Sequence, residues 1–296
     1  MRARRGITLI EVLAAIFVMG IGLLALLTLF PVGALSMARA VRDDRAAQAG
    51  ANAAALAVAV DLRNDDDGKG NGVSPTLGKT PAGFAAPDPN GPGYPVYVDP
   101  YYVQLNPGIS FLGQVPGVTP GLTRITPATC FLGPPARWAS LQDEIQFDNT
   151  GTPGGAVNRP ATYTWAYMLR RTRSSSNVMV ELTVVVYASR ATQVGGGENV
   201  YTAAGNKGDS TITLTYAGDK PNIRRNNWLL DVTYSVQANT GYGTVNAVFY
   251  RVANVTDAGP NTLSIDLEAP LRQNVNTVVF MENVIGVLEK STSWQP

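Results

Sequence analysis

The most prominent pattern along the chain is a predominantly apolar stretch over residues 7–30, whose only ionisable member is Glu11. As a helix it would extend roughly 36 Å, enough to cross a hydrocarbon core of about 30 Å with some tilt. Pro31 follows, a residue that kinks or interrupts a helix. Residues 32–63 are rich in alanine and free of proline. Within them Ala53, Leu56, Ala57 and Val60 fall at helical spacing, while Arg39, Arg42, Asp43, Asp44 and Arg45 form a charged stretch. This predicts an amphipathic helix that continues the apolar one. Three aspartates and three glycines over residues 65–72 end it, and residues 64–93 read as a Gly/Pro/Asp-rich linker.

Beyond residue 94 the period changes to two. Residues 162–170 alternate with Tyr163, Trp165, Tyr167 and Leu169 on one face. Residues 178–187 alternate with Val178, Val180, Leu182, Val184 and Val186, and the polar run 171–177 between them predicts a hairpin. Further strands are predicted at 211–216, 228–234, 244–254, 262–267 and 275–288, with a turn at Ala258-Gly259-Pro260-Asn261. Residues 106–160, rich in proline and glycine, read as long loops with short strands. The predicted fold class is α+β: a long N-terminal helix and a β-rich head over 94–296, antiparallel because no βαβ rhythm is present.

Composition narrows the chemistry. The chain has 296 residues, 45% hydrophobic and 15% charged, enough for a real core. With 23 basic and 22 acidic residues, nothing electrostatic points to nucleic acid as a partner. There is no histidine, so the usual general base and the commonest metal ligand are missing. The single cysteine, Cys130, cannot form an internal disulfide or a zinc site and reads as a small buried hydrophobe. An enzyme is not expected, and neither is a cofactor.

The N-terminus carries the most specific signal. Arg2, Arg4 and Arg5 precede the apolar run, and the positive-inside rule keeps them cytoplasmic with the rest of the chain outside. A secretory signal peptide has a shorter apolar region, of roughly 7–15 residues, and no carboxylate within it. Ala38-Arg39-Ala40 imitates a signal-peptidase site, but it follows a run too long for that class. A lone carboxylate in lipid costs several kcal/mol and needs a partner. The string Gly6-Ile7-Thr8-Leu9-Ile10-Glu11-Val12-Leu13 resembles the prepilin cleavage and methylation motif of type IV pilins and type II secretion pseudopilins. The continuation to Leu26 is similar to minor subunits of the PilV and GspI kind.

The resemblance implies a leader of residues 1–6, an anchor over 7–31 and a helical extension over 32–63. It implies cleavage after Gly6 by prepilin peptidase, with Ile7 as the new, methylated N-terminus. Glu11, the fifth mature residue, would pair with the N-terminal amine of a neighbouring subunit. The family more often starts its mature chain with Phe or Met, so Ile7 departs from it. The implied partners are the peptidase, other pilin subunits and inner-membrane lipid. The implied location is the inner membrane, with the head periplasmic, and then a pilus or pseudopilus. The implied function is that of a structural minor subunit.

Other motifs fail on spacing. Gly78-Lys79-Thr80 lacks the glycine of a phosphate loop at position 73, which is Val73. Gly241-Tyr242-Gly243 lacks the third glycine of a dinucleotide loop, Asn246 standing there. Gly208-Asp209-Ser210 has no histidine to serve a triad. The neighbours Asp143 and Glu144 would point to opposite faces of an extended segment. Asp65 and Asp67 are calcium candidates, but a calcium loop counted from Asp65 would have Lys69 and Thr76 at its fifth and twelfth positions. Asn254-Val255-Thr256 matches a glycosylation sequon by chance. Two rivals to the structural role stand. One is a pilin-anchored binding module, which an exposed patch of Tyr94, Tyr97, Tyr101 and Tyr102 would favour, although burial of half of them in the core is the default. The other is an anchored hydrolase, which needs two carboxylates facing one cleft.

Overall fold

A computed structural model describes residues 9–60, 62, 95–100, 110–112, 122–125, 139–141, 162–171, 180–190, 197–236 and 243–290. The protein has one long helix followed by antiparallel sheets and a barrel, the α+β class expected. It divides into two units, Met1–Arg45 and Ala46–Pro296.

Helix α1 (Leu9–Ala59) has 51 residues and continues through Pro31 rather than being interrupted there. Proline removes one backbone donor, a loss that long helical flanks absorb. The α-helix ends at Ala59, four residues short of the expected boundary at 63, although Val60 N still donates to Leu56 O at 2.9 Å. In the second unit the helix buries Ala46, Ala49, Gly50, Ala53, Ala54 and Ala57, a stripe at i, i+3, i+4 and i+7. Every residue of the stripe is small, so the helix axis can come close to the sheet beneath it.

That sheet holds β1 (Val96–Val98), β2 (Ser110–Leu112), β3 (Leu122–Ile125), β4 (Tyr163–Arg171), β5 (Val180–Ala188) and β14 (Val284–Lys290), in the order β14-β5-β4-β1-β3-β2. The predicted hairpin is β4 and β5, in register from Tyr163 opposite Ala188 to Arg171 opposite Val180. Trp165, Tyr167, Leu169, Leu182, Val184 and Val186 cluster with the helix alanines. Tyr167 Oη donates to the Ala53 carbonyl at 3.1 Å and accepts from Trp165 Nε1 at 2.9 Å. The opposite face is also buried, through Ala166, Met168, Val185 and Tyr187. The pairings are antiparallel, as expected, except that β1 and β3 run parallel.

The second face packs on a closed six-stranded barrel, which the sequence reading did not foresee. Its strands are β6 (Glu198–Gly205), β7 (Thr211–Thr215), β8 (Trp228–Asp231), β11 (Val248–Gly259), β12 (Thr262–Leu267) and β13 (Val275–Met281). β8, β11 and β12 are successive neighbours and β13 returns beside β8, a Greek-key order. Leu229, Val248, Tyr250, Val278 and Phe280 point into the barrel, whereas Leu230, Phe249, Val279 and Met281 alternate outward to the sheet. β13 reads Val-Asn-Thr-Val-Val-Phe-Met because nearly all of it is covered. Three of the predicted strands are broken. Residues 228–234 split into β8 and β9 (Tyr234–Val236), and 244–254 into β10 (Gly243–Val245) and β11, with Ala247 at φ 48° between them. Residues 275–288 split into β13 and β14 around Asn283 at φ 66°, a left-handed position that asparagine tolerates.

Gly50 marks the tightest approach of α1 to the sheet. A Cβ there would overlap Leu288 Cδ1 and lie 3.1 Å from its Cδ2. Gly50→Leu is therefore expected to destabilise the protein by about 1–3 kcal/mol through overpacking. Denaturant titration followed by tryptophan fluorescence would show it, and an unchanged midpoint would mean that α1 is loosely held.

Candidate membrane anchor and assembly segment

In the first unit α1 presents its apolar side chains on all sides. Leu9 is 81% exposed and Phe30 78%, and every described residue up to Asp44 is exposed. The most apolar 18-residue window has a mean hydropathy of 2.7 with none of it buried. A soluble surface rarely carries more than a few hundred Å² of continuous apolar area. By length and composition this helix can cross a membrane. Its two hydroxyls are satisfied within the helix: Thr28 Oγ1 donates to Ala25 O and Ser36 Oγ to Gly33 O, each at 2.8 Å. Gly20, Gly22 and Gly33 face open space, leaving room for a second helix to approach.

Glu11 lies in the first turn of α1 and is exposed. The partial positive charge of a helix N-terminus suits a carboxylate there. Gly6 and Ile7 fall outside the described residues, as do Asp65, Asp67, Cys130, Asp143 and Glu144. Among the described residues no group of three His, Cys, Asp or Glu side chains is placed to hold a metal.

Tyr97, one of the four tyrosines whose exposure would have favoured a binding module, is fully buried, because β1 lies between β3 and β4. Tyr94, Tyr101 and Tyr102 are not among the described residues. The Tyr97 hydroxyl meets that of Tyr187, which also reaches Met281 Sδ at 3.1 Å. Burial raises both phenols, Tyr187 to about 12.

Around them lies an ion network. Arg190 binds Asp99 through Nη1 and Nη2 at 2.8 and 2.5 Å, and its guanidinium carbon sits 4.4 Å from the Tyr187 ring centre. Arg124 binds Glu198 and lies 3.8 Å from Asp99. Burial lowers the affinity of each arginine for its proton. The carboxylates outweigh that, Glu198 first for Arg124 and Asp99 first for Arg190. Asp99 is fully buried and Glu198 is 12% exposed, so they do not form a carboxylate pair open to a cleft. Three of the four charges follow or belong to sheet strands and Glu198 starts β6, so the network joins sheet to barrel. Nothing local in the sequence marks these residues, because Asp99 and Arg190 are separated by 91 positions.

Asp231 is a second buried acid, held by neutral groups. Thr233 N donates to it at 2.9 Å and Asn246 Nδ2 at 2.8 Å. Burial pushes its pKa up to about 6 from an ordinary 3.8, while the bonds from Thr233 and Asn246 oppose the rise. Folding thus favours the protonated acid. Its contribution to stability is fully present below about pH 4 and is lost as pH rises to about 6, on the order of 3 kcal/mol. Asp231→Asn removes that dependence. The difference in unfolding free energy between the two proteins is expected to change by this amount from about pH 4 to 7, and a constant difference would refute the assignment.

The tempting motifs have structural roles. Gly208, at φ 94°, and Asp209 form the β6–β7 turn, where Asp209 Oδ2 accepts from Asn206 N at 3.0 Å. Gly243 begins β10 instead of a phosphate loop. Asn254 lies within β11 and donates to Asp266 Oδ2 at 3.3 Å.

Comparison with known proteins locates similarity at the N-terminus. The family described as the prokaryotic N-terminal methylation motif matches residues 1–27. No curated protein matches the chain. Among solved structures, the phage phi92 endosialidase is similar at 12% identity and a TM-score of 0.19, over 44% of this chain and 18% of its own. So low a score carries no inference about this fold. The matched residues run directly into the exposed apolar helix. On that basis the chain is type IV pilin-like at its N-terminus, where residues 1–27 carry the prokaryotic N-terminal methylation motif.

Proposed function

We propose that the protein is a minor pilin or pseudopilin subunit, structural rather than catalytic. It would wait in the inner membrane with its head periplasmic and then enter a pilus or pseudopilus. In this reading Gly6 directs cleavage, Ile7 becomes the methylated N-terminus, and Glu11 pairs with the amine of a neighbouring subunit. The observation that carries the reading is the methylation motif over residues 1–27 coinciding with the start of the exposed apolar helix. Arg2, Arg4 and Arg5 support the orientation.

The test is the intact mass and N-terminal sequence of the protein purified from native membranes. A chain starting at Ile7 and heavier by one methyl group is expected. A chain starting at Met1 would reduce the segment to a plain anchor, and one starting after Ala40 would make the protein an ordinary secreted one.

A second reading, a pilin-anchored binding module, is favoured by one feature of the head: a groove of about 280 Å³ between sheet and barrel, lined by charged side chains.

A further inference from the structure

That groove has a defined build. On the barrel side of the sheet, Glu181 and Arg170 face each other across β5 and β4, and Glu289 of β14 stands opposite Thr183 of β5. Met168 and Ala247 line it as apolar floor. Arg272, on the segment between β12 and β13, closes the far side, and its backbone N–H donates to Tyr250 Oη at 2.9 Å. Lys290 also lines the groove at the end of β14, but it lies opposite Leu182, so alternation turns its side chain toward the other side of the sheet.

Two ion pairs border the floor. Arg170 places Nε and Nη2 on Glu181 Oε2, at 3.1 and 2.8 Å. Arg272 Nη2 reaches Glu289 Oε2 at 3.5 Å. These bonds leave Nη1 of each arginine and Oε1 of each glutamate to other partners, so donors and acceptors alternate around one apolar surface. The two cations and two anions balance. An anionic ligand would gain from the arginines what it lost to the glutamates. A ligand carrying neighbouring hydroxyls, each both donor and acceptor, satisfies the whole set. The volume approaches the lower end of small-ligand sites, about 300 Å³.

We propose that this groove binds an uncharged polyhydroxylated ligand, a unit of a neutral oligosaccharide, through Arg170, Glu181, Arg272 and Glu289. The assignment rests on the binding-module reading of the head and goes beyond the subunit role.

The test is saturation-transfer NMR on the full chain, held in a detergent without a sugar headgroup. The probes are cellotriose and chitotriose, with a hyaluronan tetrasaccharide as the charged counterpart. Binding of a neutral probe is expected, weakened about fivefold by Glu289→Gln and by Arg272→Gln. Both side chains are more than half exposed, so neither change threatens the fold. Binding of hyaluronan alone would overturn the ligand class while leaving the head a binding module. Binding of a neutral probe unaffected by either substitution would move the site elsewhere and overturn the proposal, as would no binding at all. Filament incorporation of the Glu289→Gln protein, measured alongside, is expected to be unchanged and keeps this test separate from that of the subunit role.

Discussion

Glu11→Ala is expected to abolish incorporation into filaments while leaving cleavage after Gly6 intact. The reason is the cost of charge in hydrocarbon. In the membrane, a carboxylate in an apolar helix is expensive, and removing it makes the anchor more lipid-soluble, so the variant should accumulate there. In an assembled filament the carboxylate would meet the amine of a neighbouring Ile7. Removing one partner of a buried pair costs about 3–5 kcal/mol, because the other charge is left uncompensated. That loss recurs at every contact the subunit makes through its N-terminus. Glu11→Gln keeps the shape and should fail as well, which separates charge from packing. Mass spectrometry reports processing and sheared-filament fractions report incorporation. Normal incorporation of the alanine variant would sink the assembly role of Glu11.

The second large effect is expected in the head. Asp99→Asn should destabilise it by about 3–5 kcal/mol. Asp99 is fully buried and takes two bonds from Arg190, with Arg124 at 3.8 Å. Without its charge, the two buried guanidiniums lose one of the two carboxylates they share. Urea unfolding of the full chain, followed by Trp165 and Trp228 fluorescence, would measure the loss. A double-mutant cycle with Arg190→Met should return a coupling above about 1 kcal/mol. A loss below that value would mean the packing of Met168, Val185, Leu230 and Val279 holds barrel and sheet together without help from the charges.

The contrast between these two sites shows what could be read in advance. Glu11 stood out because its signal is local: an ionisable residue at a fixed distance from Gly6 within an apolar run. The β4–β5 hairpin was legible for a similar reason, since alternation over residues 162–170 and 178–187 is a property of consecutive positions. The Asp99 network was not legible. Its members come together only when β1, β3, β5 and β6 have been placed, and each alone reads as a surface charge. Tyr97 was open in the same way: aromatic residues near a predicted strand start suit a patch or a core, and only its neighbours decide.

By itself the sequence determined the long apolar helix, the methylation motif and the β character of the head. These rest on periodicity and spacing along the chain, which act before any long-range contact forms. Tertiary structure alone decided that the head comprises a mixed sheet and a closed barrel, that β1 and β3 run parallel, and that both faces of β4 and β5 are covered. It also decided where residues 228–234, 244–254 and 275–288 break. Strand partners are chosen by burial between residues far apart in the chain, and a period of two names the faces of a strand without naming what covers them.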